Sequence, residues 1–231
     1  MSASAASRTD DFGGDLRQAL GVWQRQPLLP LISILFWTVP AAAYGNDAAY
    51  VVISIVTIVF LGWPGTERVW YRRAFAGETF APSEIWPTSR RFFGPFLRLG
   101  LLLMPVVFPL LIVYIVWYES APVVSIGALL VLFLILDVAL TFVTPALTFT
   151  TSSARRALSI GVAALRATWP AAAPYALTPA LIFILGAQTL LGPIVGPGGA
   201  LVATALAGLL SLALKGATVA FYLRHLPAPS S

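Results

Sequence analysis

The sequence predicts an all-α polytopic membrane protein, a bundle of six transmembrane helices with basic amphipathic helices on its cytoplasmic face. Three observations carry this. Hydrophobic residues make up 58% of the 231-residue chain and charged residues only 10%, against about 25% charged in soluble domains. Long apolar runs alternate with short polar breaks, and a membrane span needs roughly 20 apolar residues. Arginine gathers in alternate breaks only, which is a topology signal.

In chain order, residues 1–14 read as a disordered polar tail, 15–225 as a single membrane domain and 226–231 as a second tail. Spans are expected at 27–44, 48–63, 99–118, 121–147, 171–193 and 198–223. The first two are short and need help from flanking residues or a thinner local bilayer. No polar stretch is long enough to build a separate soluble domain. A signal peptide cut after Ala41-Ala42-Ala43 is the competing reading of the N-terminus. The leader is long for that role and carries Asp10, Asp11 and Asp15, which argues against cleavage.

Orientation follows from the basic residues. Arg8, Arg17 and Arg25 precede the first span. Arg68, Arg72, Arg73, Arg90, Arg91 and Arg98 fill the second connection, and Arg155, Arg156 and Arg166 the fourth. Arg224 follows the last span, while the connections around Asn46, Glu119 and Gly196 carry none. The positive-inside rule then puts both termini in the cytoplasm. The net charge of +5 is spent on topology, so nucleic acid is not expected as a partner.

The basic segments share a pattern. One reads RRAFAGETFAPSEIWP from Arg72 and another RRALSIGVAALRATWP from Arg155, with a looser version, LRQALGVWQRQP, from Leu16. This suggests three copies of a unit, an amphipathic segment followed by a span out and a span back; chance similarity between arginine- and tryptophan-rich loops is the alternative. In the third copy Leu158, Val162, Leu165 and Trp169 share one helical face and Arg155, Ser159 and Arg166 another. In the first, Leu16, Leu20 and Trp23 lie opposite Arg17 and Gln24. Gly77, Pro82 and Pro87 break the middle copy into a short helix and a loop. Such helices lie in the headgroup region, so Arg68, Arg72, Arg73, Arg155, Arg156 and Arg166 are candidate contacts for anionic headgroups or a partner protein.

Two charges fall inside the expected spans. Asp137 lies eight residues before Pro145, and Lys215 nine before Arg224, each roughly 12 Å from the cytoplasmic end. Lys215 continues the small-residue line Gly199, Ala203, Ala207 and Ser211, a face suited to close helix approach. Thr141, Thr144 and Thr148 extend a polar stripe from Asp137. Three readings stand: an ion pair between Asp137 and Lys215, a protonatable or ligand-binding Asp137 in a threonine-lined cavity, or a snorkelling Lys215 with a hydrated or neutral Asp137.

The chain has one histidine, His225, and no cysteine; a conventional metal site, a disulfide and a cysteine nucleophile are not expected. Phosphate-loop, HExxH and GxSxG motifs are absent from the sequence. No cofactor is expected. FVTPALTFTTSSARRALSIGVAALRATWP, from Phe142, resembles the membrane domain attached to some glycerophosphodiester phosphodiesterases and its stand-alone six-span bacterial relatives. The resemblance implies a bacterial inner-membrane location and no catalytic residue, since the barrel domain of those enzymes has no counterpart here. The expectation is a non-enzymatic accessory or scaffold that meets the lipid bilayer, anionic headgroups or another membrane protein. A small transporter or channel using Asp137 is the alternative.

Overall fold

A computed structural model describes residues 12–42, 51, 61–118, 120–178 and 196–225. Among these there are helices and no strand. In order they are α1 (Phe12–Arg25), α2 (Leu28–Ala42), α3 (Trp63–Phe75), α4 (Ile85–Tyr118), α5 (Pro122–Leu140), α6 (Val143–Phe149), α7 (Ala154–Ala167) and α8 (Gly196–His225). Residues 169–178 are also helical.

The breaks have local causes. Pro145 has no N–H to offer the carbonyl of Thr141, so the helix is interrupted at Thr141 and Phe142 and restarts as α6. Gly77 takes φ +80° just beyond α3, and its N–H bonds the Ala74 carbonyl at 3.1 Å, a left-handed stop that glycine allows without strain. A 3-10 turn, Pro82–Glu84, then leads into α4.

The interior is assembled around α8, which packs against α1, α2 and α3. Leu212, Ala217, Val219 and Phe221 are buried along it. Gly216 permits the approach: a Cβ there would lie 2.6 Å from the Tyr71 ring and 2.7 Å from Ala19 Cβ. Gly161 does the same for α7, where an added Cβ would meet the Val143 backbone nitrogen at 2.5 Å.

Among the described residues, three helices are long and apolar enough to cross a membrane: Pro82–Trp117, Val123–Phe149 and Leu201–His225. These mark the chain as a membrane protein and cover the spans expected at 99–118, 121–147 and 198–223. The first expected span overlaps α2, described for 15 residues up to Ala42, where that stretch of described residues ends. Those at 48–63 and 171–193 lie mostly outside the described residues. Leu101, Phe108, Ile115, Val123, Val131 and Ile135 are exposed on α4 and α5.

The basic segments are docked into the protein rather than resting beside it. On α1 the buried face is Asp15, Ala19 and Val22, while Leu20 of the expected apolar stripe is exposed. On α7 the buried stripe is Ala154, Ala157, Gly161, Ala164 and Leu165. Small residues bring these helices close to their neighbours, leaving Leu16, Leu20 and Leu158 at the margin and arginines outward. The proposed threefold unit does not share a backbone. Arg72 and Arg73 end α3, whereas Arg155 and Arg156 open α7, because Gly77 and Pro82 interrupt only the middle copy. Trp86-Pro87 and Trp169-Pro170 remain equivalent, each in the first turn of a helix.

Candidate functional site

Charged groups collect toward the arginine-rich end of the bundle. The central one is Glu67, only 1% exposed. Its Oε1 accepts from Ser33 Oγ at 3.0 Å and Trp63 Nε1 at 2.9 Å, and its Oε2 accepts from Lys215 Nζ at 2.8 Å. One carboxylate thus ties α2, α3 and α8 together. A buried ion is tolerated when its lone pairs are filled in this way. The Tyr71 hydroxyl, one turn along α3, accepts from Trp23 Nε1 at 2.8 Å and donates to the Leu212 carbonyl at 3.0 Å.

Asp15 holds a second buried cluster. It is 2% exposed, accepts from the Tyr175 hydroxyl at 2.5 Å and is clasped by both terminal nitrogens of Arg224. The pairing joins α1, the helical residues 169–178 and the end of α8. Phe12 stacks edge-on against the Tyr175 ring beside it.

Arg68 is buried at 7% exposure. Its Nη1 donates to the Pro64 carbonyl at 2.6 Å and its Nη2 to Thr144 Oγ1 at 2.5 Å, fixing α3 to α6. Burial draws its guanidinium down to about 10, opposed by the neighbouring Glu67 charge; it is a cation at neutral pH. Arg73 bonds Glu78 at 3.0 Å and Glu84 at 2.8 Å, and is held above its usual range chiefly by the Glu84 bond. Arg72 is exposed, with its guanidinium 5.7 Å from the centre of the Phe149 ring. Arg155, Arg156 and Arg166 are exposed on α7 and have no carboxylate partner among the described residues.

The candidate headgroup set therefore divides. Arg68 and Arg73 are engaged within the fold, Arg72 is exposed but lies over Phe149 of α6, and Arg155, Arg156 and Arg166 are exposed on α7. Of the intramembrane set, Lys215 is brought to Glu67, four residues beyond the span expected at 48–63. Asp137 is half-buried on α5 and has no ion pair among the described residues. The threonine stripe folds back on its own helix. Thr141 Oγ1 donates to the Asp137 carbonyl at 3.0 Å and Thr148 Oγ1 to the Thr144 carbonyl at 2.9 Å. Glu67 carried one readable signal, its four-residue spacing from Trp63, which places the indole N–H on the same helical face.

Comparison with protein-family models, with curated proteins and with solved structures finds no match.

Proposed function

We propose that the chain is a six-span protein of a bacterial inner membrane with both termini in the cytoplasm. In this reading it is a non-enzymatic accessory or scaffold component that gathers anionic lipid, or another membrane protein, at its arginine-rich end. At 34 residues, α4 is about 51 Å long, well beyond the roughly 30 Å hydrocarbon core. Its first turns, carrying Trp86, Arg90 and Arg91, then stand in the interface, where tryptophan and arginine are favoured.

One observation carries the reading. Every acidic residue described at the arginine-rich end, Asp15, Glu67, Glu78 and Glu84, is already held by an arginine or lysine. Arg17, Arg72, Arg90, Arg91, Arg155, Arg156 and Arg166 remain exposed without an acidic partner among the described residues. Their counterions must come from outside this part of the chain, and the anionic cytoplasmic leaflet supplies them at about 1 kcal/mol per basic residue near the surface.

The test is the headgroup composition of lipid that copurifies with the protein. Enrichment of anionic over zwitterionic lipid is expected, and replacing Arg155, Arg156 and Arg166 with Gln should reduce it. Equal enrichment in that variant, or none in the native protein, removes the proposal. A transport reading is favoured by one feature, the half-buried Asp137 within a helix long and apolar enough to cross a membrane. It requires solute or proton movement in liposomes that Asp137→Asn abolishes.

A further inference from the structure

We propose that the seam between α3 and α6 is a binding site for one phosphate group, held by Arg68 and Arg72. This rests on the reading that the arginine-rich end meets anionic lipid, and narrows it to a single built site.

The other buried charges among the described residues are ion-paired: Glu67 meets Lys215, and Asp15 meets Arg224. Arg68 is different. Its bonded partners are neutral, the Pro64 carbonyl and the Thr144 hydroxyl, and no carboxylate lies within ion-pair distance among the described residues. Glu67 acts on Arg68 through space but makes no bond to it, because successive helical positions point about 100° apart and its oxygens are taken by Ser33, Trp63 and Lys215. A guanidinium has five N–H donors; those of Arg68 beyond these two bonds have no partner among the described residues.

Arg72 is one turn further along the same face of α3. Its guanidinium rests over Phe149, the last residue of α6, so both arginines face that helix. Like charges four residues apart on a helix repel, and an anion between them reverses the sign of that interaction. α6 contributes a donor as well. The Thr144 oxygen accepts from Arg68, which leaves its own proton available. Two planar guanidiniums and a hydroxyl donor suit the oxygens of a phosphate, which arginine recognises through paired N–H bonds. That phosphate is a lipid headgroup diester or a soluble phosphate ester, and the two sources are separable by experiment.

The experiment is native mass spectrometry on the full chain, delipidated in detergent and titrated with phosphatidylglycerol or with glycerol 3-phosphate. Arg72→Gln alters an exposed residue, and Arg68→Lys keeps the buried charge while removing the fork, so both variants should fold; circular dichroism checks this. One tightly held phosphatidylglycerol is expected in the native protein, weakened at least about tenfold in each variant and unchanged in Arg155→Gln/Arg156→Gln. Competition by glycerol 3-phosphate assigns the site to soluble phosphate esters; its failure to compete assigns the site to lipid. Native-like binding in both Arg72→Gln and Arg68→Lys overturns the site, as does the absence of any bound phosphate compound. If binding falls only in Arg155→Gln/Arg156→Gln, the site fails while the broader lipid reading survives.

Discussion

Lys215 and Glu67, 148 positions apart in the chain, meet at 2.8 Å. Removing one partner of a buried ion pair costs about 3–5 kcal/mol, because the survivor is left uncompensated. Lys215 keeps a quarter of its side chain accessible, so the lower end of that range applies to Glu67→Ala, which leaves a partly solvated Lys215, and the upper end to Lys215→Met, which strands the buried Glu67. Glu67→Gln should cost less than Glu67→Ala, since an amide oxygen still accepts from Ser33 and Trp63. Glu67→Gln combined with Lys215→Met should be less destabilised than the two single changes added together. Thermal unfolding of the four proteins in one detergent measures this coupling, and strict additivity would show that the contact contributes no pairwise energy.

Asp15 makes the attachment of α1 depend on the far end of the chain. Arg224→Gln leaves the Asp15 carboxylate buried with only Tyr175 as a side-chain donor, so α1 should loosen before the rest of the bundle opens. Trypsin reads this directly, because Arg17 and Arg25 lie on α1. Cleavage there should accelerate severalfold in Arg224→Gln, with the remaining arginines cut at native rates. Tyr175→Phe removes one hydrogen bond of the cluster and should have a smaller effect, about 1–2 kcal/mol. Uniform acceleration at every site would indicate global unfolding instead.

Apolar spacing made the long helices legible, since Leu99 to Tyr118 or Leu201 to Leu223 admits few alternatives to a span. The docking of the basic helices was not legible. Of the apolar stripe expected on α7, Leu165 is buried, but the rest of the buried face is Ala154, Ala157, Gly161 and Ala164. Small residues contribute little to hydropathy while deciding how near a neighbour comes. Glu67 was hidden for a related reason. Its position four residues beyond an expected span suggested solvent, and only the crossing of α8 over α3 encloses it. Lys215 was recognisable as a charge needing a partner, whereas the identity of that partner depended on helix arrangement rather than on depth along the chain.

Gly216 stands next to Lys215 and sets how close α8 comes to α3. A methyl group there would fall 2.6 Å from the Tyr71 ring, inside van der Waals contact, so Gly216→Ala must push the two helices apart or turn the ring. Overpacking of this kind typically costs 1–3 kcal/mol. The displaced ring would also strain its bonds to Trp23 and Leu212. Lower thermal stability and a change in tryptophan fluorescence are expected together. Gly100→Ala is the control, since an added Cβ there meets nothing within 4 Å; equal losses in the two variants would remove the packing explanation.

Asp137 separates the structural and transport readings of the polar interior. It is half-buried and has no ion pair among the described residues. Its backbone carbonyl, rather than its carboxylate, receives the Thr141 hydroxyl. Asp137→Asn should therefore shift stability by less than about 1 kcal/mol, as for most changes outside packed or paired positions. A destabilisation as large as that of Glu67→Ala would reveal a pairing role for Asp137. Charge reversal at Asp137 and Lys215 would then be expected to restore part of the loss. Near-native stability together with lost solute or proton movement in liposomes would favour a transport role, because the carboxylate would then matter for what passes it rather than for what it holds together.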